Sequence, residues 1–129
     1  MKRPALRFVK LLLPVLLLVA AFGCVKRSVI QDEPEVITVV VSNNNPLDMT
    51  VYAVNQSMRI RLGTVSTAST QRFTLQLHQI SPTGELQLMA DPVGSRRTMT
   101  SELIHVFAGQ AVEWTLQADL RQSTLTIRS

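Results

Sequence analysis

VITVVVSNNNPLDMTVYAVNQSMRIRLGTV, residues 36–65, is the stretch that decides how this chain folds. It contains three runs rich in β-branched and aromatic residues, 36–42, 49–55 and 58–65, separated by Asn43-Asn44-Asn45-Pro46 and by Gln56-Ser57. β-branched runs of this length bounded by turn-forming residues read as strands. The first run is apolar at both parities, which predicts a central strand with neither face in water. The other two form a hairpin if Gln56-Ser57 is a two-residue loop. That register pairs Val54 with Arg59, Ala53 with Ile60, Tyr52 with Arg61 and Val51 with Leu62. One face then carries Val51, Ala53, Ile60 and Leu62 and belongs to a core. The other carries Tyr52, Val54, Arg59 and Arg61, with Asp48 on the same parity, and Tyr52 opposite Arg61 suits a cross-strand cation–π contact.

Working outward, further short runs follow at 70–78, 85–90, 101–107, 111–117 and 123–128. Eight strands at about ten-residue spacing indicate an all-β sandwich or barrel. Only residues 115–122 offer a helical alternative, and Trp114-Thr115-Leu116 reads better as strand. Ser81-Pro82-Thr83-Gly84 has the proline and glycine placement of a type I turn. Residues 101–117 read as a second hairpin with two possible registers. Glycine at the first central position of Ala108-Gly109-Gln110-Ala111 favours a type II′ turn, pairing Phe107 with Val112, His105 with Trp114 and Leu103 with Leu116. A three-residue loop would instead pair Ile104 with Trp114 and leave His105 in solvent, because one residue of slip inverts the faces.

The N-terminus has a different composition. Residues 1–10 carry Lys2, Arg3, Arg7 and Lys10 without an acid, and residues 11–23, LLLPVLLLVAAFG, carry no charge. A basic segment, a short apolar run and small residues before a cut site define a helical secretory signal. The uncharged stretch from Leu11 to Val25 includes Pro14 and is shorter than the roughly 20 residues a spanning helix needs. Four of the chain's 13 Lys and Arg residues lie in this segment and none of its 9 acids. Removal of the signal therefore leaves nine of each, and the net charge of +4 that would suggest nucleic acid disappears. No nucleic-acid partner is expected.

Cys24 is the only cysteine, so no intramolecular disulfide can form, and the 106 residues from Cys24 onward suffice for one modest core. Ala21-Phe22-Gly23-Cys24 resembles the lipobox of bacterial lipoproteins, with Gly23 and Cys24 matching and Ala21 and Phe22 departing from the commonest form. The resemblance implies that Ala21, Phe22 and Gly23 are read by the lipoprotein signal peptidase and that Cys24 becomes the diacylglycerol-modified first residue. Two or three acyl chains make a stable membrane anchor. Val25, in place of the aspartate that retains many such proteins at the inner membrane, points by the same resemblance to the outer membrane, facing the periplasm. Residues 24–35 then form a lipidated tether with mixed charges and a proline, and 36–129 the folded domain. NNNPLDMTVYAV, RIRLGTV and ADPVGSRR look like a group of small bacterial lipoproteins with an immunoglobulin-like antiparallel sandwich. That likeness implies about 7–8 strands and no activity.

Chemistry is sparse. His78 and Met89 have ten residues between them, as in periplasmic copper chaperones, but the His-x-Met that should follow is absent, since His105 precedes Val106-Phe107. Two soft ligands do not make a specific copper site. There is no Gly-x-Ser-x-Gly, neither histidine has a flanking motif, and the six acids after residue 36 are scattered singly. Neither an enzyme, a cofactor nor a metal site is expected. The candidates that remain are surfaces. Asp48, Tyr52, Arg59 and Arg61 form one, and Arg96 and Arg97 in the Asp91–Arg97 loop form another, suited to an envelope protein partner. A small-ligand or metal-binding module near His105 and Trp114 is the alternative. Oligomeric state is not legible.

Overall fold

The computed structural model describes residues 35–56 and 58–129. The expected signal peptide, the cleavage residues Ala21, Phe22 and Gly23, Cys24 and the tether up to residue 34 lie outside the described residues.

Nine strands follow in order: β1 (Val36–Asn43), β2 (Met49–Asn55), β3 (Met58–Val65), β4 (Ser69–Gln76), β5 (Glu85–Pro92), β6 (Met99–Thr100), β7 (Ile104–His105), β8 (Ala111–Leu116) and β9 (Thr124–Arg128). A single helical turn, α1 (Leu77–Ile80), separates β4 from β5, and a 3-10 turn at Leu120–Gln122 precedes β9. The first sheet has the order β4-β1-β8-β9 and the second β3-β2-β5-β6, with β7 also on β5. The two sheets pack face to face as an all-β sandwich. Its core is Ile37, Val39 and Val41 of β1, Met49 and Val51 of β2, Val65, Leu75, Ile80, Leu86, Leu88, and Val112, Trp114 and Leu116 of β8. Apart from Ile80, which α1 supplies, these lie on the inward faces of their strands, as a two-layer fold requires.

β1 lies centrally, as its composition predicts. Ile37, Val39, Val41 and Asn43 are fully buried, while Val36, Thr38, Val40 and Ser42 on the outward face are half-buried. Neighbouring strands therefore shield this second face only in part. The β2–β3 hairpin keeps the expected pairs Val54–Arg59, Ala53–Ile60 and Tyr52–Arg61. A bulge then shifts the register, so Val51 opposes Gly63 and not Leu62. The extra residue is absorbed where Phe73 already crowds Gly63, since a Cβ there would stand 2.8 Å from the Phe73 ring.

One expected strand is shortened and one expected hairpin is overturned. The strand read at 70–78 stops at Gln76, where α1 turns the chain so that Ile80 enters the core. The 101–117 hairpin does not form in either register. β7 pairs with β5, Ile104 opposite Leu86 and His105 opposite Glu85, whereas β8 pairs parallel with β1 and antiparallel with β9. Residues 107–110 instead cross between the sheets, with the positive φ at Gly109. The competing interaction is the edge of β5. The Ser101 N–H donates to the Leu88 carbonyl at 2.7 Å, and the Ser101 hydroxyl accepts from the Leu88 N–H at 2.9 Å. That side-chain bridge interrupts the edge and leaves β6 and β7 as two short pieces. Ile104 and Val106 face inward, and Leu103, His105 and Phe107 face outward.

The strands run between two opposite ends. Chain entry at Glu35, the β2–β3 turn, α1, the Ser81–Gly84 turn and the 107–110 crossing share the entry end. There Leu77 N–H donates to Glu35 O, Gly109 N–H to Val36 O and Val106 N–H to Gly84 O, all at 2.9 Å or less. Loops 44–48, 66–68, 93–98 and 117–123 share the far end.

Candidate functional site

The far end is built on three successive asparagines. Asn43 is fully buried at the end of β1. Its Nδ2 donates to Leu47 O at 2.9 Å and Val65 O at 3.0 Å, and its Oδ1 accepts from Asn45 N–H at 2.9 Å. Asn45, also buried, donates through Nδ2 to Gln117 O and Ala118 O, both at 3.1 Å, and accepts from Leu47 N–H at 3.0 Å. Asn44 N–H donates to Leu116 O. Asp48 Oδ1 accepts from Thr67 N–H at 3.0 Å, and Asp48 O accepts from Val93 N–H at 2.9 Å. Short amide side chains can hydrogen-bond backbone that no strand satisfies, which is why such residues collect where strands end. One tripeptide thus joins the loop after β1 to the loops after β3 and β8, and Asp48 adds the loop after β5.

These fixed loops enclose an open cleft of about 940 Å³. Arg96 and Arg97 line it from the β5–β6 loop, and Asp119 and Arg121 from the β8–β9 loop. Pro46, Leu47, Pro92, Met99 and Leu120 give it apolar walls. The arginine loop is stitched by local turns: Ser95 N–H to Pro92 O, Thr98 N–H to Arg96 O, and Arg97 N–H to the Ser95 hydroxyl.

Charge in the cleft is unbalanced. Arg121 binds Asp119 through Nε and Nη2, both at 3.2 Å, in the fork geometry that suits a carboxylate. That side-chain bond, followed by the Arg121 backbone N–H, holds the Asp119 carboxyl below its ordinary range, and the same pairing raises Arg121. Both groups are exposed, so the pair adds little to stability. Among the described residues no acid lies within ion-pair distance of Arg96 or Arg97. The cleft therefore offers two guanidiniums outside any ion pair, Arg97 near enough to Asp119 to help hold that carboxyl down, beside apolar walls that suit an anion with an apolar portion.

The other expected residues are dispersed. Tyr52, Arg59 and Arg61 share the outward face of the second sheet, with Tyr52 half-buried and Arg61 Nη2 donating to Thr64 Oγ1 at 3.2 Å. Asp48 does not join them, because its carboxylate is engaged by the Thr67 N–H at the far end. His105 and Trp114 are not neighbours across a hairpin. Trp114 is 1% exposed in the core on β8, while the His105 side chain is 61% exposed on β7, 3.6 Å from Glu85. The physical reason is the preference of β7 for the β5 edge, which puts the two residues in different sheets. His78 lies exposed in α1 and Met89 on the outward face of β5 opposite Tyr52. Among the described residues, no three His, Cys, Asp or Glu side chains gather as metal ligands would.

Sequence reasoning missed Asn43, Asn45, Asp119 and Arg121. The asparagines read as turn residues, although Asn43 continues the buried parity of Ile37, Val39 and Val41. Asp119-Leu120-Arg121 carried no motif and gained meaning only when the loops converged. No protein-family model matches the chain, and none of the curated proteins resembles it significantly.

Proposed function

We propose that this chain is a lipid-anchored, non-enzymatic module of the bacterial envelope whose far-end cleft binds an acidic partner. Cys24 carries the acyl anchor, residues 24–35 tether the domain to the outer membrane on its periplasmic side, and Arg96 and Arg97 receive the partner. The observation that carries the reading is that Arg96 and Arg97, neither in an ion pair, share one cleft with loops held by the buried Asn43 and Asn45 side chains. Preordered loops lose less conformational entropy on binding, and arginines are frequent anchors of interfaces. The cleft contains neither histidine nor cysteine, and its one carboxylate is bound by Arg121, so it offers charge and hydrogen-bond donors with no activated nucleophile.

In-cell photocrosslinking tests this. A photoreactive residue at Thr98, on the cleft lip, should capture a partner, whereas one at Thr126, on the outward face of the first sheet, should not. Arg96→Glu with Arg97→Glu should abolish the Thr98 product while the protein stays folded and membrane-bound. An undiminished product in the charge-reversed variant would remove the basis for assigning the cleft to binding.

A further inference from the structure

We infer that the entry end of the sandwich rests on the lipid bilayer, with Phe107 and Met58 inserted at the level of the headgroups. The inference rests on the acyl-anchor reading of Cys24. Its independent support is a difference between the two ends of the domain.

Two adjoining grooves mark the entry end. One is lined by Glu35, Leu77, Gly84, Val106, Phe107 and Ala108, the other by Asn55, Met58, Ile60, Gln79 and Ile80, and both include His78, Ser81 and Pro82. Among the described residues Glu35 is the only acid in either lining, and neither contains arginine or lysine. Phe107 is 68% exposed and Met58 63%, the two most exposed large apolar residues of the described domain. Neither position contributes a buried strand contact that would require an apolar side chain. The charges bordering this end are mostly paired, Glu85 with His105 and Glu113 with Arg128, while Arg59 follows Met58 on β3. By contrast, Arg96, Arg97, Asp119, Arg121 and Asp48 crowd the far end.

The length of chain outside the sandwich selects the occupant. Ten residues separate Cys24 from Glu35, and Glu35 joins the domain at the apolar end. Fully extended, that segment reaches about 35 Å, and β1 places the far end roughly 26 Å beyond. The entry end is therefore always within reach of the membrane that holds the acyl chains. Aromatic and thioether side chains enter the bilayer interface without leaving hydrogen bonds unmade, and Phe is favoured there in interfacial anchors. Lys26 and Arg27, two and three residues from the anchor, add attraction to anionic headgroups. Asp32, Glu33 and Glu35, shortly before β1 in the chain, oppose deeper approach, which leaves the apolar side chains to make the contact. Seated this way, the domain points its arginine cleft away from the membrane.

The test uses full-length acylated protein in vesicles of phosphatidylethanolamine and phosphatidylglycerol with brominated acyl chains. Native Trp114 is buried and serves as an internal reference. Phe107→Trp and, separately, Met58→Trp add an emitter at the entry end, and Leu47→Trp adds one at the far end. The inference predicts that bromine removes about half of the added emission at 107 and 58 and leaves that at 47 unchanged, because only interfacial side chains meet the quencher. If the protein floats with vesicles but 107 and 58 are not quenched, the seating is wrong and the anchor stands. Equal quenching at all three positions also overturns it, since the domain would then have no preferred end. If the acylated protein fails to float, the anchor reading and this inference both fall.

Discussion

Replacing Asn43 by alanine should loosen the far end and cost more than any other polar substitution in the domain. The side chain is fully buried and makes three hydrogen bonds, to Leu47 O, Val65 O and Asn45 N–H. Among the described residues no buried side-chain nitrogen or oxygen lacks a partner, so there is no slack elsewhere to absorb the loss. At about 1 kcal/mol for each net hydrogen bond, with a surcharge where a buried backbone group is orphaned, Asn43→Ala should destabilise by about 3–4 kcal/mol. For a domain of this size that corresponds to a fall in Tm of roughly 15–25 °C. Asn43→Asp keeps the acceptor for Asn45 N–H but removes both donors, so it should cost at least as much at neutral pH. The assay is urea unfolding of a Cys24→Ser form followed by Trp114 fluorescence, which reports the core directly. A loss below 1 kcal/mol for Asn43→Ala, with an unchanged denaturant slope, would refute the claim that this residue staples the loops that frame the cleft.

Other expectations follow from single contacts. Gly84 has φ +75° and a Cβ there would lie 2.6 Å from Val106 O, so Gly84→Ala should cost about 2–3 kcal/mol by the same unfolding assay, from left-handed strain and backbone collision together. Ser101→Ala removes the hydroxyl that accepts from Leu88 N–H and should cost about 1–3 kcal/mol, with the amide exchange of Leu88 rising more than that of Ala90. Asp119 should titrate below an ordinary carboxylate, and Arg121→Ala should return it upward, as carbon-detected NMR titration can read. The sign is fixed by the direction of the shift: a depressed carboxyl pKa stabilises the fold above its unfolded value, and that small contribution is lost as pH falls through the lower folded value. Asp119→Asn should also release Arg121 and strengthen capture at Thr98.

The sequence carried the sandwich more fully than its wiring. Alternation and β-branched runs located β1, β2, β3, β4, β5, β8 and β9, with β4 read two residues too long, because burial on one face of a strand writes a period of two into the chain. The β2–β3 register followed from a two-residue connection with apolar residues sorting to one side. It failed at Val51, where a bulge puts Gly63, packed beside Phe73 of another strand, opposite Val51 in place of Leu62. The 101–117 region was misread for a related reason. Local turn chemistry at Ala108–Ala111 favoured a hairpin, yet the deciding bond runs from Ser101 to Leu88, thirteen residues earlier. Alternation itself pointed the other way, since Ile104 and Val106 against His105 and Phe107 is the pattern the structure obeys. The cleft was half legible. Arg96 and Arg97 stood out as adjacent charges in a loop, whereas Asp119 and Arg121 became relevant only when Asn45 brought the 117–118 backbone beside Leu47. A cleft made by four loops has no contiguous signature.

The central claim is that a lipid at Cys24 holds this domain at the membrane, and intact-mass measurement of the protein purified from membranes tests it most directly. The account predicts a chain beginning at Cys24, lacking residues 1–23, and heavier than its sequence mass by a diacylglyceryl group with or without a further acyl chain. Cys24→Ser should leave the chain unacylated and free of the membrane with the sandwich still folded. A membrane-bound protein that retains residues 1–23, or that begins at Cys24 with an unmodified thiol, would contradict it.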